Sequence, residues 1–136
     1  MLISTKGRYA LCVLTDMAEH DGDKDWISVK EIAGRQDISR KYLETIMTLL
    51  CKQGFIESSP GKGGGYKLLR QPEDYSLEEV LILTEESLAV VPCLKKDAEY
   101  CSKYANCCTI ETWKQLDALI SDFLGRITIK DLMRKK

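Results

Sequence analysis

Histidine is nearly missing from this chain: His20 is the only one in 136 residues. No second imidazole is available for acid–base work, and no set of acid, base and nucleophile surrounds the first, so an enzyme is not expected. Proline is scarce at three residues, and no apolar run approaches the roughly 20 residues that a membrane helix requires. The opening Met1-Leu2-Ile3-Ser4-Thr5-Lys6 has no long apolar stretch of the signal-peptide kind, which sets the expectation of a cytoplasmic protein without a membrane partner. Internal repeats and low-complexity tracts are also absent. Excess charge is missing too: the net value of −1 argues against a surface coated for nucleic acid along its whole length.

What is present is unevenly spread. Residues 39–70 hold six Lys/Arg against two acids, whereas residues 71–136 hold nine against twelve. A local positive field is what a reader with one DNA-facing element would show. The length suits one compact unit with an appendage.

Periodicity then supplies the elements. Residues 4–20 place Leu11, Leu14, Met17 and Ala18 at helical steps, and Asp21-Gly22-Asp23 ends that helix. Ser28-Val29-Lys30-Glu31 has the form of a capping box, opening a short helix at Val29 that Gly34 and Asp37 interrupt. Ser39 can cap a third helix with Leu43, Ile46, Met47 and Leu50 on its apolar face, running until Gly54. Two short strands follow, residues 55–59 and 66–69, around the tip Pro60-Gly61-Lys62-Gly63-Gly64-Gly65. A phosphate-binding loop is the alternative for such glycines. It is disfavoured because Lys62 is followed by Gly rather than Ser/Thr, and Tyr66 stands where a dinucleotide motif needs its third glycine. Ser76-Leu77-Glu78-Glu79 opens a fourth helix. Residues 91–108 have no clear period, and beyond them Trp113, Leu116, Ile120, Phe123 and Ile127 alternate steps of three and four, as in a helix that packs along another.

The expected fold class is therefore mainly α with a small β wing: a winged helix-turn-helix over residues 1–90, a cysteine loop over 91–108, and a long helix with a tail over 109–136. In such a head the third helix enters the major groove of double-stranded DNA and the wing touches flanking backbone or minor groove. The outward stripe is Lys41, Glu44, Thr45, Thr48 and Lys52, with Ser39, Arg40 and Lys41 at its N-terminal end, hydroxyls and cations suited to phosphates and base edges. Ser28 and Lys62 join the expected DNA-facing set, and Lys67 is a further candidate for backbone contact.

Six cysteines in a reducing compartment point to thiols, metal ligands or redox sensors rather than structural disulfides. Cys93, Cys101 and Cys107 lie in the irregular stretch, with Cys108 adjoining. Thiolates so spaced can converge on iron–sulfur iron or zinc, and the lack of any Cys-x-x-Cys knuckle disfavours zinc. A reversible thiol switch is the other reading. Cys12 and Cys51, on helices among apolar neighbours, are expected to be small core residues, and His20 a helix-end residue.

Ser4-Thr5-Lys6-Gly7-Arg8-Tyr9-Ala10, Tyr42-Leu43-Glu44, Gly63-Gly64-Gly65-Tyr66 with Pro72-Glu73 after it, and a cysteine loop before the last helix together resemble the Rrf2 family of regulators, which includes IscR, NsrR and CymR. The resemblance spans about residues 2–132. It implies a homodimeric transcription regulator in which the last helices cross between subunits, with Trp113, Leu116, Ile120 and Phe123 as the expected interface, and it adds Tyr42, Gly63 and Gly64 to the DNA-facing set; a repressor is the expected mode of action, with an activator as the alternative. It also implies an iron–sulfur cluster on Cys93, Cys101 and Cys107. The histidine that IscR carries three residues after its third loop cysteine is replaced here by Ile110. The acidic fourth ligand of some NsrR proteins falls near Arg8, which cannot ligate, leaving Cys108 as a candidate. The arginine before the wing glycines of IscR-like members is Pro60 here, so minor-groove reading falls to Lys62. A rival function is a cluster carrier or thiol-redox protein that uses the helix-turn-helix only as an interaction scaffold.

Overall fold

Serine hydroxyls set the helix boundaries. In the computed structural model, which describes residues 2–134, Ser4, Ser28, Ser39 and Ser76 each accept from the backbone N–H three residues on, at 2.9–3.2 Å. Each satisfies one of the orphan donors of a first helical turn. They open α1 (Thr5–Glu19), α2 (Val29–Gln36), α3 (Arg40–Lys52) and α4 (Leu77–Thr84). The two expected capping boxes are only half made. The Glu31 carboxylate turns to Lys24 at 2.8 Å, and Glu79 takes Arg70 at 2.8 and 2.9 Å. A charge-assisted partner outcompetes a neutral backbone amide. Gly34 does not interrupt α2 either. One glycine costs a helix only about 1 kcal/mol, and the turn comes at Asp37, whose φ of 52° is the left-handed conformation aspartate tolerates.

The predicted apolar faces meet in one core. Val13, Leu14 and Met17 from α1, Ile32 from α2, and Leu43, Ile46, Met47 and Leu50 from α3 are all fully buried there. Two antiparallel strands, β1 (Ile56–Ser59) and β2 (Gly65–Leu68), pair Ile56 with Leu68 and Ser59 with Gly65, within a residue of the expected bounds. A bridge from Ile27 to Tyr66, with N···O distances of 2.9 and 2.8 Å, ties this hairpin to the residues entering α2.

α5 (Ile110–Arg126) lies against α4 and buries only Ile110 and Leu124. Ile127, expected within this helix, leaves it with ψ of 132°. The short α6 (Ile129–Leu132) then returns to the head, opened by a complete capping box between Thr128 and Asp131. Ile129 is fully buried in the main core, its N–H donating to the Tyr75 carbonyl at 3.0 Å, while Leu77 N–H donates to the Ile127 carbonyl at 2.9 Å. A boundary at residue 90 thus cuts through the head's own core; Met1, Lys135 and Lys136 of the expected segments lie outside the described residues. Residues 91–108 form an irregular segment with two 3₁₀ turns, Pro92–Leu94 and Tyr104–Asn106. No described helix is long and apolar enough to cross a membrane.

Candidate nucleic-acid interface and cysteine loop

With its apolar side buried, α3 turns Arg40, Lys41, Glu44, Thr45 and Thr48 to the outside. Arg40 Nε lies 3.3 Å from Glu44 Oε1, and both side chains are more than half exposed. This i,i+4 pair is worth only a few tenths of a kcal/mol, so either partner can be released by a competing ligand. The Thr45 and Thr48 hydroxyls donate back to the Lys41 and Glu44 carbonyls at 3.3 and 2.8 Å, keeping their lone pairs outward. Lys41, Lys52 and Lys62 have no carboxylate partner among the described residues. Tyr42, also in the expected DNA-facing set, is half-buried, edge-on to Tyr9 of α1 with ring centroids 5.8 Å apart, and packs on the core.

The wing tip is a turn closed by Gly64 N–H donating to the Gly61 carbonyl at 3.1 Å. Gly63, at its third position, has φ of 79°, as a type II turn requires, which leaves Lys62 exposed at the corner. Gly65 follows with φ of 152°, where any Cβ would overlap the Ile27 carbonyl oxygen. The absence of a side chain there lets β2 sit against the N-terminus of α2 beside Ser28. Behind the tip, Tyr66 lies near Cys51 and Glu44 of α3, and burial pushes its phenol above the ordinary range. The wing, the start of α2 and the outer face of α3 therefore form one assembly. Lys67 is engaged within it: its ammonium stands 4.7 Å over the Trp26 ring and 3.8 Å from Glu57.

Two braces behind this surface escaped sequence reasoning. Asp16 is buried at 2% exposure and takes a bidentate guanidinium from Arg35, with Nε–Oδ2 at 2.9 Å and Nη2–Oδ1 at 2.7 Å, plus the Gln36 amide at 2.9 Å. The carboxylate holds the Arg35 guanidinium above its usual range. An aspartate amid the apolar positions of a helix was the available signal. The other brace is Tyr75, fully buried, whose hydroxyl donates to the Phe55 carbonyl at 2.6 Å and accepts from Arg70 N–H at 3.1 Å.

All six cysteines are free thiols. Cys51 is half-buried, and burial raises its thiol. Cys12, expected in the core, is exposed on α1, because Val13 and Leu14 take the inward positions. His20 is the C-cap of α1, with Nδ1 2.8 Å from the Asp16 carbonyl, the helix-end placement expected. In the loop, Cys101 and Cys108 are exposed and Cys93 and Cys107 half-exposed. Cys107 Sγ lies 3.4 Å from Thr109 Oγ1, and that bond, aided by backbone amides at the start of α5, lowers the thiol below its ordinary value. In kind, Cys93, Cys101 and Cys107 suit an iron–sulfur cluster. In place they do not: among the described residues no group of three or more His, Cys, Asp or Glu side chains is gathered closely enough to hold a metal.

An apolar strip completes the surface. Ile82 of α4 is 60% exposed, and on α5 Leu119 and Phe123 are 66% and 56% exposed, with Leu116 beside them. Trp113 and Ile120, expected on the same face, are half-buried.

Comparison with known proteins agrees with this architecture. Residues 3–135 match the profile of the Rrf2 family, described as iron-dependent transcriptional regulators. Protein rrf2 of Nitratidesulfovibrio vulgaris is 37% identical over 98% of this chain and 88% of its own length, and IscR of Photobacterium profundum is 36% identical over 98% and 76%. Among solved structures, IscR of T. potens aligns with a TM-score of 0.74 at 30% identity, covering 97% of this chain and 85% of that one. CymR, the global cysteine regulator of B. subtilis, gives 0.77 at 28% identity over 97% and 95%. The mainly helical fold with its two-stranded wing is that of these winged-helix structures, and the chain belongs to the Rrf2 family of transcriptional regulators.

Proposed function

We propose that this regulator binds double-stranded DNA as a cytoplasmic homodimer, acts as a repressor, and has its operator affinity set by the state of the thiols at 93–108. The observation that carries the DNA reading is the joining of wing, α2 start and α3 face into one surface with unpaired Lys41 and Lys62. Ser39, Arg40 and Lys41 reach the phosphates and Glu44 and Thr45 the base edges of the major groove, while Ser28 at the α2 N-terminus and Lys62, Gly63 and Gly64 follow the flanking backbone. Phosphate neutralisation supplies affinity, and base contacts supply selectivity. Tyr42 acts from behind, as the support on which the start of α3 rests. Head, loop and α5 divide the labour, with the exposed strip of Leu119 and Phe123 covered by the partner protomer; burying such residues is worth roughly 1.5–3 kcal/mol each.

The cofactor that the loop thiols would take is an iron–sulfur cluster on Cys93, Cys101 and Cys107, with Cys108 as fourth candidate. The described loop would have to draw these residues together, so the regulatory reading is placed on the thiols alone. Iron and sulfide content after anaerobic reconstitution of the wild type and of Cys→Ser variants decides the cofactor. The DNA reading is tested by binding to random-sequence and selected duplexes across a salt series. Affinity should fall steeply with salt, and Lys41→Ala and Lys62→Ala should each lower the log–log slope by about one. Glu44→Ala should relax base preference by about 1–3 kcal/mol with little change of slope. A protein without duplex affinity would be a carrier or thiol-redox protein instead.

A further inference from the structure

The reading head leaves one side-chain cluster unused, at the junction between the first helix and the start of the cysteine segment. Glu85 is the C-cap of α4, the residue at which the chain turns extended and heads toward Cys93. Its Oε1 accepts from Ser4 N–H at 3.1 Å and from Ser4 Oγ at 2.7 Å. The same Ser4 hydroxyl accepts from Gly7 N–H at 2.9 Å, so it caps α1 and holds Glu85 at once. Gly7 leaves room for this carboxylate: a Cβ there would overlap Glu85 Oε1 and stand 3.0 Å from both Leu81 Cδ2 and Thr84 Oγ1. Five residues further on, Val90 N–H donates to Asp117 Oδ1 of α5 at 2.9 Å, so the first stretch of the segment is anchored at both ends. One helical turn from Ser4, Tyr9 meets Tyr42 in the first turn of α3.

We propose that Glu85 is the positioning residue through which the cysteine segment controls the recognition helix: its carboxylate clasps the N-terminus of α1, and Tyr9 relays the setting of α1 to Tyr42. A change in the loop that pulls residues 86–90 strains the Glu85–Ser4 bonds directly, because Glu85 begins that segment. Release removes both acceptor contacts from Ser4 and leaves α1 free to move against α4, and the Tyr9 ring moves with it. Interiors pass on such shifts because packed side chains have few alternative arrangements. The proposal rests on the reading of the loop thiols as the regulatory input.

The test uses the full-length dimer in a Cys12→Ser, Cys51→Ser background, so that iodoacetamide alkylates loop thiols only. Affinity for a duplex selected by the unmodified protein is measured before and after alkylation. The wild-type clasp should give a ratio of tenfold or more. Glu85→Ala should bring the ratio to within about twofold of one. Gly7→Ala should do the same, since its methyl evicts the carboxylate without altering any charge. Glu85→Gln, which keeps an oxygen to accept from Ser4, should restore much of the ratio, a rescue that simple loss of stability would not show. Hydrogen exchange of the α1 first-turn amides supplies a readout without DNA: alkylation should speed it in the wild type and leave it unchanged in Glu85→Ala. A wild-type response that persists undiminished in Glu85→Ala and Gly7→Ala overturns the clasp and leaves the regulatory reading standing. A wild type indifferent to alkylation overturns both.

Discussion

Replacing Arg35 by Met should destabilise the protein far more than replacing its partner Asp16 by Leu, although both changes break the same ion pair. Asp16 is 2% exposed, and Arg35 supplies two of the three hydrogen bonds to its carboxylate, leaving only the neutral Gln36 amide at 2.9 Å, with the His20 ring 3.9 Å away. A stranded buried carboxylate costs about 3–5 kcal/mol. Arg35 stands in a different place. Its side chain is 31% exposed and has Glu31 at 3.6 Å, so in Asp16→Leu the guanidinium swings into water and the loss is about 1–2 kcal/mol. The double variant should be more stable than Arg35→Met alone, because no buried charge remains. Urea unfolding followed by tryptophan fluorescence at one fixed protein concentration reads all three, since any self-association would make the midpoints concentration-dependent. Equal losses in the two single variants, or a double variant that loses their sum, would refute the argument that burial of the carboxylate dominates this brace.

Three further outcomes are expected. Gly65→Ala should displace β2 from Ile27, cost about 1–3 kcal/mol in the same urea assay through overlap and backbone strain, and weaken duplex binding. Cys107 should be the loop thiol that iodoacetamide alkylates fastest near neutral pH. The bond from Thr109 favours its thiolate, so Thr109→Ala should raise that pKa and move the rate–pH curve to higher pH; an unmoved curve rejects the assignment. Leu119→Glu with Phe123→Glu should give folded monomers by sedimentation, because both residues are exposed within the protomer; persistence of a dimer would place its interface elsewhere.

The helices and wing were legible because each is written locally. A serine hydroxyl three residues before an orphan amide, a 3.6-residue apolar period and a glycine at a positive-φ turn act over a few residues, and the starts of α1 to α4, the buried face of α3 and the wing turn appear where the sequence places them, whereas Ile127 falls outside α5. What was not legible depends on partners far along the chain. The capping-box glutamates look identical from sequence whether they turn to their own backbone or to Arg70 and Lys24. Cys12 and Leu11 sit among the same apolar neighbours, yet the angular step between successive positions of a helix leaves one exposed and the other against the core. The family resemblance places Tyr42 in the recognition segment, but its packing against Tyr9, 33 positions earlier, has no local signal. Spacing showed which loop cysteines are numerous enough to ligate a metal, but the path of an irregular segment, which decides whether they meet, has no period to read.

The return of α6 to the head bears on how the protein is made and cut. Ile129 fills the same core as Leu14 and Leu50, and Tyr75, whose hydroxyl holds Phe55, offers its carbonyl to Ile129. The DNA-facing unit is therefore closed by residues synthesised after the cysteine loop and the long helix, so a nascent chain lacks part of the head's core until Ile129 has been added. A chimera that transplants residues 1–90 onto another regulator's sensor would leave a hole where Ile129 belongs, whereas one that carries residues 127–133 along would keep the unit whole. Head and cysteine loop are interleaved along the sequence, and they can be exchanged only as a pair of cuts.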